Sequence, residues 1–126
     1  MGLDCYWLKP NEKKSAPLHF EPGLCFENEH DEALRRNGWA MFRGKTFETI
    51  VRQITGESLY VDWMSPRKVR AVAKKLEKYV AKPWPLPPSV DEMAAGWELW
   101  TPEQIADIAR MFRAYGKAGY GLSGSW

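Results

Sequence analysis

The residues best suited to holding a metal ion all lie in the first 30 positions of the chain. They are two cysteines and two histidines: Cys5, His19, Cys25 and His30. Two thiolates and two neutral imidazoles form a valid tetrahedral zinc set. Structural zinc sites usually hold two ligands on one tight turn, and only Cys25 and His30 are close enough for that. The spacing therefore favours buried cysteines and ordinary histidines, and we expect neither a metal nor another cofactor.

Acidic side chains surround the second of these histidines. They are Glu27, Glu29, Asp31 and Glu32. Clustered carboxylates suit a cation site or an acid/base pair. The segment lacks the D-x-[DN]-x-[DN]-G pattern of a calcium loop, however. We interpret it as a solvated turn, or as one that pairs with basic residues of the same chain or of a second copy.

Motifs for nucleophilic or nucleotide chemistry are missing from the sequence. It contains no G-x-S-x-G elbow, no complete phosphate loop and no dinucleotide fingerprint. The run Arg43-Gly44-Lys45-Thr46 matches only the end of a phosphate loop. A helix starting at Thr46 would offer an anion the backbone amides of any helix start. We predict a protein without enzymatic activity, and a small enzyme of unknown class remains an alternative.

The middle of the chain is basic, although the whole chain carries a formal charge of only +2. Residues 43–82 contain ten bases and four acids, a balance of +6, and each flanking segment has a balance of −2. Six bases fall on the outer face of a helix predicted over 65–82: Arg67, Lys68, Arg70, Lys74, Lys75 and Lys78. Such a row suits phosphate binding, with stacking by Trp63 and Arg43. The pI of about 8.5 is below that of typical nucleic-acid-binding domains, so nucleic-acid binding is the alternative function.

Tryptophan is unusually frequent in a chain of 126 residues. The seven are Trp7, Trp39, Trp63, Trp84, Trp97, Trp100 and Trp126. Burying all seven indoles would be unusual for this length, and exposed tryptophans are typical of binding hot spots. Trp84 lies in a Pro-rich connector over 83–88, and Trp97 and Trp100 follow at helical spacing. We predict that Trp84, Trp100 and Trp126 bind a protein partner.

Local patterns place these residues on mostly helical elements. The predictions are a strand over 2–8, short strands over 18–20 and 24–26, a short helix over 31–37, a helix from Thr46 to Gly56, a strand or extended connector over 59–64, a helix over 65–82, a short helix from Ser89 to Leu99, and a helix from Thr101 that ends at Gly116 and Gly119. The tail after Gly119 shows no periodicity. These elements predict a single α+β domain over 1–126, mainly helical, with three to four helices and a small N-terminal antiparallel sheet.

The composition is that of a soluble globular protein. Apolar residues make up 44% of the chain and charged residues 27%. No apolar run approaches the roughly 20 residues of a membrane span. Asp4 stands where a secretory signal would be basic, and two cysteines are too few for a disulfide scaffold. We therefore expect a cytoplasmic location and no membrane partner.

Three short segments carry a resemblance to other sequences. They are the opening Met-Gly-Leu-Asp-Cys-Tyr-Trp, Phe42-Arg-Gly-Lys-Thr-Phe, and Gly56-Glu-Ser-Leu-Tyr. With them the first two-thirds of the chain resembles a loose group of small hypothetical proteins of bacteria and their phages. The resemblance implies a small accessory protein and no activity, cofactor or catalytic residue. We predict a non-enzymatic protein that binds a larger protein. Inhibition of that partner is one form that this function could take. Homodimerisation stays open.

Overall fold

The computed structural model describes residues 2–10, 41–85 and 102–126. The helices are α1 (Gly44–Thr55), α2 (Pro66–Ala81) and α3 (Pro102–Lys117), and the strands are β1 (Asp4–Leu8), β2 (Met41–Arg43) and β3 (Gly121–Ser125). This arrangement confirms the predicted α+β class. The predictions for 18–20, 24–26, 31–37 and 89–99 fall outside the described residues, as do those for Trp39, Trp97 and Trp100.

The sheet joins the two ends of the chain. β1 is central, with β2 and β3 antiparallel on either side of it, and Cys5 lies opposite Phe42 and Gly124. The N-terminal strand is confirmed, and the tail after Gly119, which shows no periodicity, forms the third strand. The Gly- and Ser-rich β3 shows little alternation of apolar and polar side chains. It is a strand because it pairs with distant segments of the chain, along its whole length with β1 and through Leu122 and Gly124 with Met64 and Val61.

Helix α1 begins at Gly44, two residues before the predicted cap at Thr46. The amides of Gly44 and Lys45 both donate to the carbonyl of Leu3, at 2.8 and 3.4 Å. The first two amides of the helix are therefore satisfied by the backbone beside β1. Its end is as predicted: Gly56 has a φ of 77° and donates to the Arg52 carbonyl.

Helix α2 lies within the predicted range 65–82 and has an N-cap at Ser65 and an apolar buried face. The hydroxyl of Ser65 accepts a hydrogen bond from the amide of Lys68, and Pro66 occupies the first turn. Its buried residues are Val69, Val72, Ala73 and Leu76, with Val80 packed against the core. The stripe predicted from helical periodicity is confirmed.

Helix α3 continues through Gly116, which the sequence predicts to end it. A Cβ at Gly116 would lie 2.8 Å from the Arg70 Cγ and 3.2 Å from the Arg70 amide nitrogen. The glycine lets α3 approach α2 closely, and the guanidinium of Arg70 donates to the Gly116 carbonyl. The turn comes at Gly119, where φ is 88°.

We expect Gly116→Val to lower the free energy of unfolding by about 1–3 kcal/mol, because the branched side chain would push α3 away from α2. Urea denaturation followed by circular dichroism measures the loss. Ala114→Val on the same helix gives the propensity cost of valine alone. Equal losses in the two variants would show that the close approach at Gly116 carries little energy.

Candidate functional site

Cys5 is a core residue. Its side chain is fully buried, and its sulfur lies against Gly44. Burial raises the pKa of the thiol to about 12, with smaller contributions from the Glu48 and Asp4 carboxylates. The thiolate that zinc requires is therefore disfavoured at neutral pH. His19, Cys25 and His30, the other members of the candidate zinc set, lie outside the described residues, as does the acidic cluster over 27–32. The described residues hold no group of three metal ligands.

Cys5 is expected to resist thiol reagents in the folded protein at pH 8. A thiol whose pKa is raised from 9.0 to about 12 stays protonated at pH 8. The side chain is also fully buried and so inaccessible to the reagent. Mass spectrometry after iodoacetamide treatment, with and without urea, locates the label on its peptide. Rapid labelling of Cys5 without urea would contradict the burial.

The backbone amides at the start of α1, in the run Arg43-Gly44-Lys45-Thr46, already have a hydrogen-bond acceptor within the fold. Because the amides of Gly44 and Lys45 donate to Leu3, they do not point at an open anion site. No phosphate-binding role is assigned to this segment.

All six bases predicted on α2 are exposed, but they do not form one free row. Lys68 pairs with Glu57 at 3.0 Å, Lys75 donates to the Thr55 carbonyl, and Arg70 donates to the Gly116 carbonyl. These contacts tie α2 to the end of α1 and to α3. In the described part of the chain, no side-chain hydrogen bond or ion pair engages Arg67, Lys74 or Lys78.

The described tryptophans divide sharply by burial. Trp7 is 1% exposed, whereas Trp63, Trp84 and Trp126 are 44%, 38% and 54% exposed. The surface position predicted for Trp84 and Trp126 is therefore observed. Trp100, the third predicted anchor, lies in the part of the chain that is not described.

Exposed aromatic side chains lie along β3, with Tyr60 and Trp126 in contact at its end and Trp63 at its start. The segment 59–64 runs along the outer edge of this strand, with Met64 and Leu122 exchanging backbone hydrogen bonds and Gly124 donating to Val61. Tyr60 packs edge-on against Trp126, with centroids 5.5 Å apart. The Trp63 ring lies over Gly121, where a Cβ would overlap it. We call Tyr60, Trp63 and Trp126 the edge aromatic surface.

Trp84 lies elsewhere. It packs edge-on against Tyr79, with centroids 4.8 Å apart, just after the end of α2. Trp63 precedes that helix, whose 16 residues span about 24 Å. The structure thus separates two anchors that the sequence assigned to one surface, because Trp126 lies with Tyr60 on the segment before α2.

Glu48 of α1 holds the segment that carries two of these aromatic residues. Its side chain is 8% exposed, and its two oxygens accept hydrogen bonds from the Ser58 hydroxyl at 2.7 Å and the Leu59 amide at 2.6 Å. Ser58 in turn accepts from the Tyr60 amide. The sequence does not predict this role, since no local pattern links Glu48 to residues ten and eleven positions later.

A groove runs between α2 and α3, which pack antiparallel. It has two adjoining hollows that share Glu77 and Arg113, an ion pair across the helices. One hollow, of about 550 Å³, is lined by Arg70, Ala73, Lys74, Glu77, Arg113 and Lys117. The other, of about 280 Å³, is lined by Glu77, Val80, Ala81, Ala106, Ala109, Arg110 and Arg113. We call the two together the interhelical groove.

No protein-family model matches the sequence, and it matches neither a curated protein nor a solved structure. In the described ranges, no helix combines the length and the apolarity that a bilayer crossing requires.

Proposed function

We propose that this chain is a small non-enzymatic interaction protein that binds a larger protein through the edge aromatic surface. The observation that supports this proposal is the exposure of Trp63 and Trp126 beside a core that is complete without them. Trp7, Phe42 and Phe112 already contact one another in that core. Exposed tryptophan and tyrosine offer large contact areas at low entropic cost, as binding hot spots do.

The local packing makes this surface suitable for binding. The Tyr60 ring contacts Trp126, and Trp63 rests on the backbone of Gly121, so the rings are held before any partner arrives. Side chains that are already ordered in the free protein lose little conformational entropy on binding, which lowers the cost of association. Nucleic-acid binding is the weaker alternative, because Lys68, Arg70 and Lys75 already make contacts within the fold.

The test is affinity capture with the tagged protein from its host lysate, treated with nuclease and washed at about 0.3 M salt. A stoichiometric protein that survives both treatments supports the proposal if Trp63→Ala and Trp126→Ala each weaken its binding. We expect a loss of about 2 kcal/mol per hot-spot residue, or roughly 30-fold in affinity.

Trp84→Ala is the matched control, because it removes an exposed indole from the far end of α2. Its capture of the partner should equal that of the wild type. Equal binding by wild type, Trp63→Ala and Trp126→Ala would refute the edge aromatic surface. Loss of binding only in Trp84→Ala would move the site to the end of α2, and capture of nucleic acid alone would favour the alternative function.

A further inference from the structure

The interhelical groove combines two chemistries along one pair of helices. Its larger hollow is basic, with Arg70 and Lys74 on one wall and Arg113 and Lys117 on the other. Its smaller hollow is lined by small aliphatic side chains, namely Val80, Ala81, Ala106 and Ala109. The short alanine side chains leave room there for a larger apolar group. None of these residues belongs to the edge aromatic surface.

The charge of the groove is strongly positive. Arg70, Lys74, Arg110, Arg113 and Lys117 are among the described residues that line it, and Glu77 is the one carboxylate among them. Glu77 is paired with Arg113, and Arg110 is paired with the buried Asp107. Lys74 and Lys117 are exposed and lie on facing helices. The basic hollow therefore has cations available for an anionic partner.

A peptide fits this groove better than a nucleic acid does. A phosphate backbone has no aliphatic group for the smaller hollow, and none of the described lining residues has an aromatic ring on which a base could stack. Two antiparallel helices leave a groove into which a third helix can pack its apolar side chains. We propose that the interhelical groove binds an acidic amphipathic helix of a partner protein, with its carboxylates over the basic hollow and its aliphatic residues in the smaller one.

The test uses a fluorescein-labelled peptide of about 18 residues, built from Glu, Leu and Ala with the leucines on one helical face. Fluorescence anisotropy at about 50 mM salt measures its affinity for wild type and for the double variant Lys74→Gln/Lys117→Gln. We expect binding by the wild type and an affinity about fivefold to tenfold lower in the variant. A version with lysine in place of glutamate should not bind.

The control is Lys45→Gln/Arg67→Gln, which removes the same charge from exposed positions outside the groove. Its affinity should stay within about twofold of the wild type. In the wild type, amide chemical shift changes on adding the peptide should cluster on α2 and α3, a readout that needs no variant. Absence of binding at about 1 mM peptide, equal losses in both double variants, or tighter groove-dependent binding of an oligothymidylate of similar length would overturn the proposal. If the peptide still binds at the groove when Trp63 and Trp126 are replaced by alanine, the groove is a binding site independent of the edge aromatic surface.

Discussion

Replacing Trp7 by alanine is expected to lower the free energy of unfolding by about 3–5 kcal/mol, a large share of the stability of a domain of this size. The Trp7 ring stacks on Tyr115, with centroids 4.6 Å apart and planes 3° from parallel. It also contacts Phe42 of β2 and Phe112 of α3 edge-on or tilted. Alanine would leave a cavity where the sheet meets α3, and three surrounding rings could not all close it. Urea denaturation followed by far-ultraviolet circular dichroism measures the loss, since fluorescence would report the other tryptophans as well.

Trp7→Phe is the informative control. The Trp7 ring nitrogen is buried, and no described residue accepts its hydrogen, so phenylalanine removes no hydrogen bond within that part of the chain. Most of the aromatic contact is kept, and the loss should be well below that of the alanine variant. Trp84→Ala, at an exposed indole, should change stability by about 1 kcal/mol or less. Equal losses for Trp7→Ala and Trp84→Ala would contradict the central position of Trp7 in the core.

The parts of the fold predicted correctly are those that local physics determines. Ser65 followed by Pro66 marks the start of α2 because the serine hydroxyl caps an amide three residues later. Helical spacing of apolar residues identifies the buried faces of α1 and α2, and the aromatic run over 2–8 identifies the first strand. Each signal lies within a few residues of the feature it predicts.

The parts predicted wrongly depend on distant partners. The amides at the start of α1 are satisfied by Leu3, about 40 positions earlier in the chain. Gly116 looks like a helix breaker until α2 is placed against it, and β3 is a strand because β1 and segment 59–64 pair with its two edges. A glycine can end a helix, or it can let two helices approach each other closely. The sequence around the glycine does not distinguish between these two roles.

In the candidate sites, too, the local sequence predicts some features, and contacts between distant segments determine the others. Tryptophan frequency alone predicts exposed indoles, and Trp84 and Trp126 are exposed. Which of them lie together is decided by the pairing of segment 59–64 with β3. Likewise, helical periodicity placed Lys68, Arg70 and Lys75 on the surface, but their contacts come from α1 and α3. The interhelical groove includes Arg113 and Lys117, which become relevant only because α3 lies antiparallel to α2.

Glu48→Ala is expected to lower the free energy of unfolding by about 2–3 kcal/mol, the second largest effect on stability that we predict. The change removes both acceptors from the Ser58 hydroxyl and the Leu59 amide, and that amide donor is buried. A buried donor left without an acceptor costs more than the lost hydrogen bond itself. Glu48→Gln should lose less, because the amide oxygen can still accept from Leu59. Urea denaturation of the three proteins gives the order.

The same substitution tests how the fold serves the proposed function. Glu48 is buried and cannot touch a partner, yet it fixes the backbone that leads directly to Tyr60 and Trp63. If the edge aromatic surface binds as an ordered unit, Glu48→Ala should weaken partner binding about tenfold at a temperature where the protein remains folded, and Glu48→Gln should restore most of it. Gly116→Val, which destabilises the α2–α3 contact by a similar amount, should leave the affinity unchanged. Equal weakening by Glu48→Ala and Gly116→Val would mean that binding follows overall stability, and the ordered aromatic surface would lose its support.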